Sequence, residues 1–206
     1  MRIGLNLKIA ALIGLMGALG NALFAISAPL LSWTGGAIGI SLDLSHIGTI
    51  IAAIFGGPVA GFLTGLIVGL LPGVWFGFIV GGAGALALLC LPIGKALTGL
   101  TVGALSGIFK VPQRSKGRSL LTLASTLLGY IPEMLFTMLY FMYLVPIFVG
   151  FEMAIAFMIP IIIKAWIEMG VIGLFTASLV GNQGFIGVVE KYFAPGWSTT
   201  IKSHES

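Results

Sequence analysis

Charge is what this sequence lacks most. Only 8% of its 206 residues are Asp, Glu, Lys or Arg, against about 25% in an average soluble chain. A globule with so little charge cannot keep its surface wetted, so a soluble domain, a disordered chain and a nucleic-acid binder are all excluded. Cysteine is nearly absent as well. Cys90 stands alone in an apolar run, which rules out an internal disulfide and thiolate metal clusters. The two histidines, His46 and His204, lie far apart, with no HExxH and no paired-ligand spacing, so no metal and no cofactor are expected. What fills the chain is apolar: 58% of the residues, with a mean hydropathy of +1.15. Glycine is abundant at 31 residues, which in lipid points to close helix contacts and hinges. An integral membrane protein is the class that remains.

A bilayer core of about 30 Å takes roughly 20 apolar residues in a helix. No segment shows the ten-residue alternation of a barrel strand. The expected fold is therefore an all-α integral membrane protein with six transmembrane helices in a single domain over residues 1–206. The first span runs from about 8 to 31. Two more lie between His46 and Leu91, a fourth covers about 92–109, a fifth about 119–149 and a sixth about 153–181, ahead of a polar tail at about 182–206. The first run exceeds the roughly 7–15 residues of a secretory signal, so it is read as a retained span.

The 46–91 region parses in two ways. Hydropathy alone gives helices at about 46–71 and 75–91. Alternatively, Gly56-Gly57-Pro58 turns the chain between a short helix at 44–56 and a second at 59–72, leaving 75–91 as an apolar re-entrant or lid segment. Proline has no N–H to give and glycine is permissive, so the turn is physically reasonable. Both parses total six spans, which brings both termini to one side. Arg2, Lys8, Lys110, Arg114, Lys116, Arg118, Lys191 and Lys202 then share that side, with four of them crowded into the basic loop 110–118. The positive-inside rule makes it cytoplasmic, with the protein in the cell membrane. The 32–46 loop, with Trp33, Asp43 and His46, and the turn near Glu152 fall outside.

Ionisable groups within a span are costly and usually face a cavity or a partner. Glu133 lies near the middle of the fifth span, and Lys164 near the middle of the sixth. Glu168 follows Lys164 by four residues on the same helix face. They line a substrate pocket, or Lys164 and Glu168 simply neutralise each other and lock two helices. Glu133 has no basic residue nearby in its own helix, so it must find Lys164, another donor, a ligand or a proton. Tyr130, Phe136, Tyr140 and Phe141 flank it and offer stacking faces; an interfacial aromatic belt is the competing reading for Tyr140, and the preferred one for Tyr143. Lys95 either meets an anionic ligand group or snorkels to the headgroups. The candidate substrate-binding residues are thus Asp43, His46, Lys95, Tyr130, Glu133, Tyr140, Lys164 and Glu168. In the first span, Ala10, Gly14, Ala18 and Ala22 recur every four residues, and such a stripe lets another helix approach closely, inside the bundle or from outside it. Asn21, one residue off the stripe, is placed to hydrogen-bond inside the bundle.

Three elements carry a family resemblance: the stripe Ala10/Gly14/Ala18, the segment Ile40-Ser41-Leu42-Asp43-Leu44-Ser45-His46, and the run Phe55-Gly56-Gly57-Pro58-Val59-Ala60-Gly61 followed by Gly65 and Gly69. With six spans and a basic loop between the fourth and fifth, the chain resembles the substrate-binding (S) components of energy-coupling factor (ECF) transporters. The resemblance implies capture of a vitamin-like small molecule in a pocket open to the outside, built by the first outer loop and spans four to six. It implies docking through Ala10, Gly14 and Ala18 onto a transmembrane coupling subunit powered by two ATPase subunits, and toppling in the membrane to release substrate. A stand-alone proton-coupled secondary carrier, with Glu133 or Glu168 as relay, is the alternative. An intramembrane enzyme is not expected, since Gly-x-Ser-x-Gly, an Asp pair and a phosphate loop are all missing.

Overall fold

The computed structural model describes residues 7–31, 43–79, 84–113 and 116–193. Helix α1 covers Leu7–Leu31, α2 His46–Val74, α3 Ala85–Ile108, α4 Arg118–Leu139, α5 Pro146–Val149, α6 Phe151–Gly181 and α7 Gln183–Tyr192. A π-helical turn, Trp75–Ile79, prolongs α2, and another, Tyr140–Leu144, links α4 to α5. Five stretches are long and apolar enough to cross a bilayer: Leu7–Ala28, His46–Ile79, Ala85–Ile108, Arg118–Phe148 and Phe151–Gly181. The described residues are thus all-helical, and the five long apolar helices fit a membrane protein. The first, fifth and sixth expected spans match α1, α4 with its extension, and α6. The stretch 75–91 is neither a span nor a lid: its beginning prolongs α2 and its end opens α3.

Helix α2 is not one rod. Gly57 stands at φ 82° and ψ −175°, a conformation that is essentially glycine-only, and Pro58 cannot donate to the turn before it. The chain reverses there. A methyl built on Gly61 would lie 2.7 Å from the Ala53 Cβ, whereas eight residues of straight helix separate two atoms by about 12 Å. Likewise, a methyl on Gly20 of α1 would lie 2.9 Å from the Ser45 carbonyl and 2.6 Å from a Val68 methyl. The short helix expected at about 44–56 is thus the first arm of α2, residues 46–56, and it is not a separate crossing, because it belongs to the apolar stretch His46–Ile79. At 1.5 Å per residue it is about 16 Å long, half a bilayer core.

Every residue from Ser45 to Phe55 in this arm is buried. It forms the axis of the bundle, and the second arm, α1, α3, α4 and α6 stand around it. Its tight seams are made of glycine. Gly61, Gly65, Gly69, Gly73 and Gly77 recur every fourth residue and face α3; a methyl on Gly65 would lie 2.6 Å from the Ala96 Cα, and one on Gly73 would lie 2.9 Å from the Leu88 Cα. Lipid tails are as apolar as leucine, so helices in a membrane are held by such close packing rather than by hydrophobic expulsion. Asn21 adds a hydrogen bond of 3.1 Å from its Nδ2 to the Ile67 carbonyl.

Helix α1 begins, and α6 ends, at the same end of the bundle. Gly56 meets Leu12 there, Gly103 meets Pro58, Gly181 meets Ser119, and the Phe55 and Phe185 rings touch edge to face at 6.0 Å. Lys8, Lys110, Lys116, Arg118 and Lys191 all belong to that basic end; Arg2, Arg114 and Lys202 lie outside the described residues. The expected polar tail is only partly a tail. Helix α7 buries Ile186 and Val189 and leaves Val188, Lys191 and Tyr192 exposed.

Candidate functional site

Six ionisable side chains meet halfway up the bundle. Residue 43 arrives just ahead of the first arm of α2, which starts beside Gly20, about 20 Å up α1 at 1.5 Å per residue. Glu133 is about 22 Å up α4 on the same measure, and Glu168 about 25 Å down α6. Asp43 and His46 were expected in an outer loop. They lie instead at mid-depth, because a helix that starts inside the bundle carries its leading residues in with it. Trp33 falls outside the described residues.

The contacts form one network. Lys95 Nζ lies 2.7 Å from Asp43 Oδ2 and donates to Ser45 Oγ at 2.8 Å. Asp43 Oδ1 accepts from the Ser45 backbone N–H at 2.9 Å and also from the Ser45 hydroxyl, an Asx-type turn that starts the arm. The Asp43 backbone N–H donates to Glu168 Oε1 at 2.6 Å, and Lys164 Nζ lies 2.9 Å from the same oxygen. His46 Nε2 stands 3.5 Å from Glu133 Oε1, and the Thr98 hydroxyl donates to Glu133 Oε2. His46, Lys95, Glu133 and Glu168 are all buried. Asp43 is partly buried, and its carboxylate is met on both oxygens, by Lys95 on one and by Ser45 on the other.

The structure thus brings together Asp43, His46, Lys95, Glu133, Lys164 and Glu168. Tyr130 borders them: it is buried one turn from Glu133, with its ring edge-on to Trp166 at a centroid distance of 5.4 Å. Tyr140 stands apart, in the π turn about 10 Å further along the axis, edge-on to Phe141. Lys95 does not snorkel and does not wait for an anion; it is spent on Asp43. Lys164 pairs with Glu168, and Glu133 finds His46 rather than Lys164. Two participants were missed. Ser45 was legible as the third residue of an Asp-x-Ser helix start, and Thr98 as the residue one turn beyond Lys95 on the same face.

Two concavities lie away from the network. One is a shallow bowl at Gly150–Met153 and Ala156. The other, of about 400 Å³, is an apolar groove between α1 and α6, floored by Leu44, Ile47 and Ile51 and closed at the basic end by Phe185. Among the described residues, no three His, Cys, Asp or Glu side chains are placed to hold a metal ion.

The candidate docking stripe faces away from the bundle. Ala10, Gly14, Ala18 and Ala22 are all exposed, and a methyl on Gly14 would meet nothing within 4 Å. Packing inside is done by Gly17 and Gly20, against Ile67 and Val68. Compared with known protein families, curated proteins and solved structures, the chain matches none.

Proposed function

We propose that this chain is the membrane-embedded substrate-binding component of an ECF-type vitamin or micronutrient uptake transporter, with its basic end in the cytoplasm of the cell. It captures a small molecule and leaves the energy-consuming work to partners, with no catalysis of its own. The observation that carries the reading is the mid-depth network. Buried charges in a membrane are expensive, and replacing a buried ion pair by apolar side chains is often neutral or stabilising. Six ionisable groups drawn from four segments of chain, four of them buried, are more than packing requires. Tyr130, one turn from Glu133, borders them, and the cluster is the place where a small polar molecule would be recognised. Arg118, Lys8, Lys110, Lys116 and Lys191 at one end support the orientation. The outward stripe Ala10/Gly14/Ala18 supports docking on a coupling subunit that carries two ATPase subunits.

The His46–Glu133 contact favours a second reading, a stand-alone proton-coupled carrier. Such a carrier needs no partner and gives the bare face of α1 no task. Native mass spectrometry of the gently purified protein, offered a panel of water-soluble vitamins and amino acids, tests the first reading. Retention of one of them at micromolar affinity, weakened by Lys164→Ala or Glu133→Ala in a folded protein, is the expected result. No retained molecule, combined with proton-driven uptake by the chain alone in vesicles, would replace it with the second.

A further inference from the structure

The network is one positive charge short. It holds three carboxylates, Asp43, Glu133 and Glu168, and two ammonium groups, Lys95 and Lys164. Asp43 has Lys95 at 2.7 Å and Glu168 has Lys164 at 2.9 Å. Glu133 has neither. Facing it are the Thr98 hydroxyl of α3, the Tyr130 ring of its own helix, and His46, whose Nε2 stands 3.5 Å away. Lys95 is an electrostatic neighbour of Glu133 but spends its hydrogen bonds on Asp43 and Ser45. A second irregularity lies beside it. His46 is 6% exposed, and its Nδ1 is buried without a hydrogen-bond partner. A buried polar atom left unmatched costs about 1–3 kcal/mol, and an uncompensated buried charge costs more.

We infer that the substrate is a small organic cation, an amine protonated at neutral pH, whose ammonium binds at Glu133 and His46. The inference rests on the binding-component reading and names the chemistry of its ligand. An ammonium supplies the missing charge, gives Glu133 a full ion pair, and brings N–H donors to a site that is short of them. An anionic ligand has no comparable place, because both lysines are already engaged.

The test uses ligands matched in shape and different in charge, on the purified full chain: benzylamine against benzyl alcohol, tryptamine against tryptophol, and pyridoxamine against pyridoxine. Biotin and pantothenate serve as anions. The expected result is that whichever scaffold binds does so at least tenfold more tightly as the amine. Glu133→Gln, checked for folding by circular dichroism, removes that preference. The wild-type comparison is decisive even where the variant does not fold. Tighter binding of a neutral or anionic member overturns the cation assignment and leaves the binding-component reading standing. Failure of every member of these sets and of the vitamin and amino-acid panel removes that reading and takes the inference with it.

Discussion

Two stripes of small residues run through this protein with the same spacing and opposite fates. Gly61, Gly65, Gly69 and Gly73 on the second arm of α2, and Gly77 in the π turn after it, are closed off by α3 and by Gly84 just ahead of it, so closely that a single methyl group would strike backbone. Ala10, Gly14, Ala18 and Ala22 on α1 are exposed, and a methyl on Gly14 would meet nothing within 4 Å among the described residues. The comparison teaches what such a spacing means. Small residues every four positions state how near a neighbouring helix is able to come, and say nothing of whether one does. In the first case the neighbour is the next helix of the same chain. In the second no helix among the described residues takes that place, and the proposed coupling subunit is the partner of matching form.

The sharpest way to test the contrast is to place the same substitution in each stripe, beginning with the filled one. Gly65→Leu drives a branched side chain into Ala96 and the Lys95 carbonyl, both backbone. Overpacking costs about 1–3 kcal/mol even where side chains give way, and backbone gives way less. We expect loss of folded protein, read as the absence of a monodisperse peak in detergent. A well-folded Gly65→Leu protein would refute the seam.

Next in size is the charged network, which joins both regions through Lys95 at the rim of the filled seam. Lys95→Ala leaves the Asp43 carboxylate buried without its cation, and breaking a buried pair from one side costs about 3–5 kcal/mol. The stranded group is identified by a second change. Asp43→Asn removes the buried carboxylate, so Lys95→Ala combined with Asp43→Asn should recover part of the stability lost in Lys95→Ala alone, read by denaturation in detergent. A double variant as unstable as the single one would mean that Asp43 is not the group left stranded.

Much of this was legible in the sequence, because hydropathy measures how long an apolar run is. The bounds of α1, α4 with its extension and α6 were read to within a few residues. Hydropathy does not measure direction. The run after His46 reads as one span at about 46–71 or as two short helices at 44–56 and 59–72, and the difference is settled by the backbone at one residue, Gly57. That reversal also decides the candidate site. With the first arm inside the bundle, Asp43 and His46 lie at mid-depth; without it they belong to a loop. The pairing of charges was legible only where it was local, as between Lys164 and Glu168 one turn apart. Lys95 with Asp43, and Glu133 with His46, join segments that no spacing rule connects. The five-glycine ladder was present in the sequence, yet Gly73 and Gly77 belonged to a stretch read as a separate segment.

Gly57 itself supplies the third prediction. Its φ of 82° suits only glycine, while a methyl there meets nothing within 4 Å. Gly57→Ala therefore pays for backbone strain alone, about 1–3 kcal/mol. The expected outcome is a folded protein that unfolds more readily, with unchanged preference among ligands. A gain in stability would mean that the two arms are not held apart by this turn.

The smallest effect on folding is expected in the empty stripe, and it is the most informative about function. Gly14→Leu adds a side chain where nothing of this chain stands, and leucine is a better helix former than glycine by roughly 0.8–1 kcal/mol. Folding and ligand retention should therefore match the wild type or improve slightly. If α1 docks on a coupling subunit, the added bulk holds two helices apart, and co-purification with that subunit and the ATPases falls while the isolated component keeps its ligand. Gly65→Leu and Gly14→Leu are the same change at the same spacing, and the contrast predicts loss of the fold in one and loss of assembly alone in the other. A Gly14→Leu protein that still assembles and transports would show that the bare face of α1 meets only lipid. The partner would then have to approach through another surface.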